Sequence, residues 1–274
     1  MTSWGGLIGS YADSDSNVMR SNHIINNTVI AESIIGGVAL GADYRVNHNV
    51  IDYNDVGHNI VRVYDIAHGG FLGLRSGPAT DVMRNNSIEY NRIFGNNITI
   101  TAVRGGGVIS SYSTSVLNTS ISGNVIEGNN ISLATVNGGG VIGAYNGANY
   151  NKVINNSITG NFVRVSNALN GGGILGLDSS NYNLIANNSA ISNNLSIAAG
   201  SGGALIGFVT GANNVLINNT LNGSSNFPIG IGFYGSRGNN ISYININYSG
   251  GYAIGFFNDT ATLSSLNVIN NLTI

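Results

Sequence analysis

Ionisable side chains are concentrated in the first part of the sequence. Residues 1–104 hold nine of the twelve acidic residues, seven of the ten basic residues and all four histidines. Clustered carboxylates can perform acid–base chemistry, either on glycosidic bonds or on protons next to a carbonyl group. The alternative is that they are solvated positions on turns and outward strand faces, and no two carboxylates recur at the repeat spacing described below. The densest stretch, and the only candidate catalytic cluster, contains Asp52, Asp55, His58, Arg62, Asp65 and His68.

Other patterns that could indicate a cofactor or metal site are not supported by the residues around them. Residues 138–143 and 171–176 match Gly-x-Gly-x-x-Gly, but more β-type sequence follows where a dinucleotide site needs a helix N-terminus. The single lysine, Lys152, follows Asn151 and not glycine, which excludes a Walker loop. The chain has no cysteine, so thiolate metal sites and disulfides are excluded. We therefore assign no catalytic, cofactor-binding or metal-binding residue.

The composition restricts both the fold and the partners. Only 8% of the residues are charged, against about 25% in an ordinary soluble domain. The chain contains 40 Gly and 46 Asn, which leaves too few good helix formers for an α-rich fold. Ten basic residues against twelve acidic ones give no electrostatic footprint for nucleic acid or anionic lipid. With 42% hydrophobic residues the chain can still bury a core.

A diglycine repeat organises the sequence. A diglycine followed by aliphatic residues recurs, and its second glycine stands at positions 6, 37, 70, 107, 140, 173 and 203. A period of this length indicates stacked structural repeats, each unable to bury its apolar face alone. The repeats start near residues 5, 36, 69, 105, 138, 171, 202, 230 and 250.

The apolar clusters within one repeat predict short strands. In residues 138–170 they are Val141-Ile142, Val153-Ile154 with Ile158, and Phe162-Val163 with Val165, separated by Gly and Asn turn signals. Three strands per turn, stacked coil on coil, form an all-β parallel β-helix of eight or nine coils. We expect residues 1–274 to form a single domain. A β-sandwich or closed barrel is the competing fold, but neither requires an equivalent Asn in every repeat.

Asparagine and tyrosine recur at equivalent places in the repeats. Asn tolerates left-handed backbone geometry, and its amide can bond to the equivalent amide one coil away, which predicts that Asn156 lies against Asn188. Four tyrosines near the diglycines either form an exposed stacked row for sugar or protein contact or wall the core at a corner. These residues are Tyr11, Tyr112, Tyr145 and Tyr182.

The repeats resemble a known family of surface proteins. The Gly-Gly-Leu-Ile-Gly, Gly-Gly-Val-Ile-Gly and Gly-Gly-Ile-Leu-Gly units, with Ile-Ser-Gly-Asn at 121–124 and Ile-Thr-Gly-Asn at 158–161, look like the GLUG-type and diglycine/Asn repeats of bacterial surface proteins. Many of those are right-handed β-helix passengers of autotransporter adhesins, so the resemblance implies a right-handed parallel β-helix (β-solenoid) here as well. Such passengers carry an export signal before them and a membrane barrel after them. The sequence shows neither, so the resemblance implies an excerpt of a longer protein.

The resemblance implies a non-enzymatic, extracellular segment of a cell-surface adhesin, anchored in the outer membrane through regions outside this chain. Its expected partners are a second copy of itself or a host-surface glycan or protein, and no nucleic acid. Two alternatives stay open. One is a polysaccharide lyase, hydrolase or epimerase on the same fold, and the other is a structural fibre of phage or archaeal origin.

Overall fold

The chain forms a right-handed parallel β-solenoid, which confirms the predicted fold class. The structure is a computed structural model that describes residues 2–3, 7–11, 15–43, 47–67, 69–75, 83–112, 116–258 and 264–274. The described residues contain no helix, and thus none long and apolar enough to cross a membrane. The predicted coil start near residue 5 lies outside them.

Nine parallel strands stack on one side of the solenoid and are here called ladder 1. Each strand pairs in register with the next, for example Leu72 with Ile109 and Ile109 with Ile142, as the diglycine spacing predicts. Because the first and last coils are incomplete in the described residues, about seven turns are complete. The strands of ladder 1 are Ile8–Tyr11, Leu40–Asp43, Leu72–Arg75, Ile109–Tyr112, Ile142–Tyr145, Leu175–Asp178, Ile206–Val209, Ile229–Tyr234 and Tyr252–Phe257.

The other sides belong to one 24-stranded sheet, in which three ladders of short strands follow one another along each coil. Ladder 2 consists of Val18–Arg20, Val50–Asp52, Ser87–Glu89, Ser120–Ser122, Lys152–Ile154, Leu184–Ala186, Val215–Ile217, and the starts of Asn240–Tyr248 and Val268–Thr273. Ladder 3 consists of His23–Ile25, Asp55–Gly57, Arg92–Phe94, Val125–Glu127, Ser157–Thr159, and the starts of Ser189–Ile197 and Thr220–Ser225.

Ladder 4 completes the coil and runs on into the next diglycine. It consists of Thr28–Ala31, Ile60–Ala67, Asn97–Arg104, Asn130–Asn137 and Phe162–Asn170, with the second half of Ser189–Ile197. The shorter strands Thr2–Ser3, Ser33–Ile34 and Gly200–Ser201 pair beside its ends. A small ladder between ladders 1 and 2 consists of Met83–Arg84, Val116–Leu117 and Ala148–Asn149.

A five-residue unit produces the three short ladders. Asn155 adopts a left-handed φ of 58°, Asn156 then turns inward and is 1% exposed, and Ile158 is fully buried two residues later. Gly160, with a φ of 64°, starts the next unit. We call the left-handed positions before ladders 2, 3 and 4 corners 1, 2 and 3. The prediction of three strands per turn was therefore wrong: the left-handed corner at Asn155 splits the predicted strand 153–158 into Lys152–Ile154 and Ser157–Thr159.

Buried asparagines join successive coils, as predicted. The Asn156 Nδ2 donates to Asn188 Oδ1 at 2.9 Å and to the Ile121 carbonyl oxygen at 3.0 Å. The Asn156 Oδ1 accepts from both the backbone N and the Nδ2 of Asn124, each at 3.0 Å. One side chain thus satisfies backbone and amide groups of two neighbouring coils, which a buried amide requires.

Glycine lets the diglycine segments fold over ladder 1. A Cβ at Gly176 would meet the backbone oxygen of Gly138 and the backbone nitrogen of Gly139 in the preceding coil. The φ of Gly176 is not positive, so glycine is required there by space and not by backbone conformation. Inside, aliphatic side chains stack from coil to coil, and the rings of Phe208 and Phe233 stack at 4.9 Å. The exposed ring of Phe256 extends this stack at 5.1 Å.

Candidate functional site

The predicted catalytic cluster is spread over three ladders. Asp52 ends a strand of ladder 2, Asp55 begins one of ladder 3, and His58 occupies corner 3 with a φ of 54°. Arg62 and Asp65 are exposed on the strand Ile60–Ala67 of ladder 4. His68 lies outside the described residues. These residues, which are close in sequence, are therefore distributed around one coil of the solenoid and do not form one cluster.

Their contacts run instead from coil to coil. Arg20 forms a two-pronged ion pair with Asp52, with Nη2 and Oδ2 2.8 Å apart. This pairing raises the pKa of Arg20 through a side-chain hydrogen bond first and charge attraction second. In ladder 3, His23 Nδ1 lies 3.2 Å from Asp55 Oδ2. Each of these carboxylates is thus held by a basic residue of the preceding coil.

Asp52 has a carboxylate neighbour that the sequence analysis missed. Glu89 is the register partner of Asp52 in ladder 2, and each is the third residue of its strand, after a buried isoleucine. The Asp52 side chain is 7% exposed. The expectation that no carboxylates recur at the coil spacing was wrong, because this coil is longer than its neighbours. The diglycine step from Gly70 to Gly107, applied to Asp52, would have identified Glu89.

The corner that follows Asp52 and Glu89 along the chain carries stacked tyrosines. Tyr53 and Tyr90 occupy corner 2 of successive coils, and their ring centroids are 5.2 Å apart at an interplanar angle of 16°. Tyr150 and Tyr182 form the same arrangement at corner 1, at 5.1 Å and 6°. All four side chains are more than half exposed. We call these four residues the corner tyrosines.

A bulky residue at such a corner is unusual. The corner tyrosines have φ values between 53° and 59°, a conformation that costs an L-residue about 1–2 kcal/mol. The same corners hold Gly123 and Asn155 in other coils, for which the conformation is cheap. Ring stacking offsets the cost by only about 0.5–1.5 kcal/mol per pair. Strained, exposed aromatic residues of this kind are typical of contact sites.

The four tyrosines singled out from the sequence belong to different rows. Tyr112 and Tyr145 stack at the end of ladder 1, with centroids 5.6 Å apart, and Arg104 Nη1 donates to the Tyr112 hydroxyl at 3.2 Å. Tyr182 stacks on Tyr150 at corner 1 instead. The backbone of Tyr11 lies in ladder 1, while its side chain is outside the described part. Tyr112 and Tyr182 therefore stack in two separate rows.

Asp178 continues the row of Tyr112 and Tyr145 as a buried carboxylate. It is 8% exposed, and its Oδ1 accepts from Ser179 Oγ at 3.0 Å. Burial raises the pKa of Asp178, and hydrogen bonds from Ser179 and Thr210 counter this only in part. Burial and the nearby Asp178 charge also raise the pKa of Tyr145. The folded chain therefore holds a proton on Asp178 more tightly than the unfolded chain does.

This burial predicts a pH-dependent loss of stability. Because the folded-state pKa of Asp178 lies above its ordinary 3.8, its contribution is fully present below pH 3.8 and is lost as the pH rises through the folded pKa. Asp178→Asn removes the buried charge, so we expect the variant to be more stable than the parent at pH 7, with the difference shrinking towards pH 3. Urea unfolding of both proteins across this range measures it. A difference independent of pH would contradict the assignment.

The described residues contain no group of three or more His, Asp or Glu side chains placed to hold a metal ion. The described surface carries stacked phenol rings, ion pairs between coils and exposed amides. Asn187 and Asn218, for example, are exposed and hydrogen-bonded at 2.9 Å between coils.

Comparison with known proteins finds similarity among solved structures. No protein-family model matches the chain, so the GLUG-type resemblance gains no support from that comparison. No curated protein matches it either. Among solved structures, the chain is similar to the A-module of a mannuronan C-5 epimerase from Azotobacter vinelandii, at 10% identity and a TM-score of 0.26, over 99% of this chain and 87% of that one. A similarity of this size assigns neither an activity nor a family, and what the geometry itself establishes is a parallel β-solenoid with internal asparagine ladders.

Proposed function

We propose that the chain is a non-enzymatic, rigid contact segment of a cell-surface adhesin, and that the corner tyrosines are its main contact residues. The observation that carries this proposal is their exposure as stacked pairs on a strained backbone. Nothing in the core requires tyrosine at these corners, since Asn and Gly occupy the same corners in other coils. The resemblance to surface-protein repeats supports an extracellular location.

The mechanism proposed is multivalent contact along a rod. Coils repeat at about 4.8 Å, so equivalent side chains return at regular intervals and weak contacts to one partner add up. The buried asparagines take no part, because side chains such as Asn156 are 1% exposed. Tyrosines and exposed amides such as Asn187 remain for a second copy of the chain or for a host-surface glycan or protein. The low charge leaves little repulsion between two copies.

Replacing the corner tyrosines tests this proposal. We expect the variant Tyr53→Asn/Tyr90→Asn/Tyr150→Asn/Tyr182→Asn to lose at least about tenfold in cell aggregation or glycan-array binding, because buried aromatic anchors each contribute about 2 kcal/mol or more to an interface. The assay displays the chain on cells that do not aggregate by themselves. Asn stands at corner 1 in Asn118 and at corner 2 in Asn155, so the fold tolerates the change.

The matched control is Tyr64→Asn, because Tyr64 is 64% exposed but lies on ladder 4 and not at a corner. We expect this variant to behave as the parent. Full aggregation and binding by the quadruple variant, at an unchanged melting temperature, would contradict the role of the corner tyrosines.

One observation favours the glycan-active enzyme as a second candidate. Asp52 and Glu89 are register neighbours whose strands are about 4.8 Å apart, a backbone spacing that lets two carboxyl groups approach the separation of about 5–5.5 Å found in retaining glycosidases. The Asp52 carboxylate is, however, already paired with Arg20. Cleavage or epimerisation of a polysaccharide by the parent, abolished in Glu89→Gln, would decide for this alternative.

A further inference from the structure

The first asparagine ladder inside the solenoid is interrupted at one coil. At the position after corner 1, successive coils place Asn49, Asn86, Thr119, Asn151 and Asn183. Thr119 is buried, and its backbone N donates to Asn151 Oδ1 at 2.8 Å as a ladder asparagine would. Its side chain is shorter than an asparagine, however, and carries a hydroxyl and a methyl group instead of the amide.

The core beside Thr119 is also built from smaller side chains. The third residue of each ladder 1 strand points inward, and it is Leu74, Ser111, Ala144 and Leu177 in four successive coils. Ser111 and Ala144 thus replace the leucines of the flanking coils at the level where the amide is missing. Two adjacent losses of volume leave a space inside the solenoid.

This space is lined by residues of three coils. It lies between Ser111, Thr119, Ala144, Asn151 and Leu177, and it admits the centre of a water-sized sphere over about 10 Å³. A buried water needs about 10 to 15 Å³ by this measure, together with two to four polar partners. The space therefore fits one water molecule and no larger ligand.

Three polar atoms around this space have no protein partner among the described residues. They are Ser111 Oγ, Thr119 Oγ1 and Asn151 Nδ2, each with essentially no solvent exposure. By contrast, the Nδ2 of Asn156 in the next ladder makes two hydrogen bonds. A buried polar atom left unpaired costs about 1–3 kcal/mol, and three such atoms around one small space indicate a shared partner.

We propose that one structural water molecule is bound here and replaces the missing amide of the ladder. The water oxygen accepts from Asn151 Nδ2, and the two water hydrogens are donated to Ser111 Oγ and Thr119 Oγ1. This arrangement satisfies all three atoms with three hydrogen bonds, the usual number for a buried water. The site joins the coils of Ser111 and Asn151 and is independent of the proposed adhesive function.

Removing the hydroxyl of Ser111 or of Thr119 shifts the melting temperature in opposite directions, depending on whether the water is bound. If the water is bound, Ser111→Ala and Thr119→Val each remove one of its partners, and we expect each to lower the melting temperature by about 2–4 °C. If the site is dry, the same changes delete an unpaired buried hydroxyl and raise the melting temperature. Ala already occupies the Ser111 position in the next coil, at Ala144, so folding is preserved. Thr159→Val, on the exposed face of ladder 3, is the control for the Thr-to-Val change itself.

A crystal structure of the parent observes the site directly. We expect one electron-density peak within about 3.2 Å of Ser111 Oγ, Thr119 Oγ1 and Asn151 Nδ2. A featureless site in a well-ordered crystal, together with raised melting temperatures of both variants, would overturn the proposal.

Discussion

Gly176→Val is expected to prevent stable folding, at a cost of at least about 4 kcal/mol in the free energy of unfolding. The Cβ would overlap the backbone of Gly138 and Gly139, which lies over the outer face of ladder 1. Those contact atoms are backbone, so no side-chain rotation can relieve the overlap. The two coils would have to separate at this contact, and the diglycine segment could then no longer pack on ladder 1.

The control for this variant is Gly160→Asn. Gly160 has a left-handed φ of 64°, and a Cβ built there would meet nothing within 4 Å. Asn26 occupies the same corner of another coil, so we expect a change below about 1 kcal/mol. Urea unfolding followed by circular dichroism measures both variants. A Gly176→Val protein as stable as Gly160→Asn would show that the diglycine segment does not pack on ladder 1.

Asn156→Leu is expected to destabilise the fold by about 3–5 kcal/mol, because several buried groups lose their partners at once. Leucine removes the acceptor of Asn124 N and Asn124 Nδ2, and it leaves the Ile121 carbonyl oxygen without its amide donor. Each buried group left unpaired costs about 1–3 kcal/mol, and the hydrophobic gain of leucine offsets only part of the sum.

Its neighbour Asn155 supplies a matched control. Asn155 is exposed at corner 2, where Gly123 stands in the preceding coil, so Asn155→Gly is expected to change the free energy of unfolding by less than about 0.5 kcal/mol. Chemical denaturation of both variants separates the two asparagines of one Asn-Asn pair. Equal effects at Asn155 and Asn156 would contradict the inward ladder.

The architecture could be predicted from the sequence because two residue types, glycine and asparagine, recur at the solenoid period. Diglycine recurs where backbone packs on backbone, as where Gly138 and Gly139 lie against Gly176, and Asn recurs where amides stack, as at Asn156 and Asn188. The number of strands per coil was missed because only the inward Asn marks each corner. The corner residue itself varies between Tyr, Gly, His, Ser and Asn, which conceals the five-residue unit.

The surface was harder to predict than the core. Which Asn of a pair points inward depends on the left-handed residue before it, and the repeat period alone does not identify that residue. The Asp52–Glu89 neighbourhood depends on the length of a single coil, and the pairing of Tyr150 with Tyr182 depends on their common corner. These relations follow from the register between individual coils, which the average repeat period does not determine.

The central claim is that each coil lies in register on the one before it, and disulfide trapping tests it most directly because the chain has no cysteine of its own. Ser157 and Ser189 are register partners in adjacent coils, whereas Thr220 lies one coil further on. Cα atoms of adjacent coils are about 4.8 Å apart, within reach of a disulfide, and those two coils apart are not. We predict that Ser157→Cys/Ser189→Cys loses both free thiols on mild oxidation while Ser157→Cys/Thr220→Cys keeps them. Cross-linking of the second pair but not the first would contradict the stacked-coil fold.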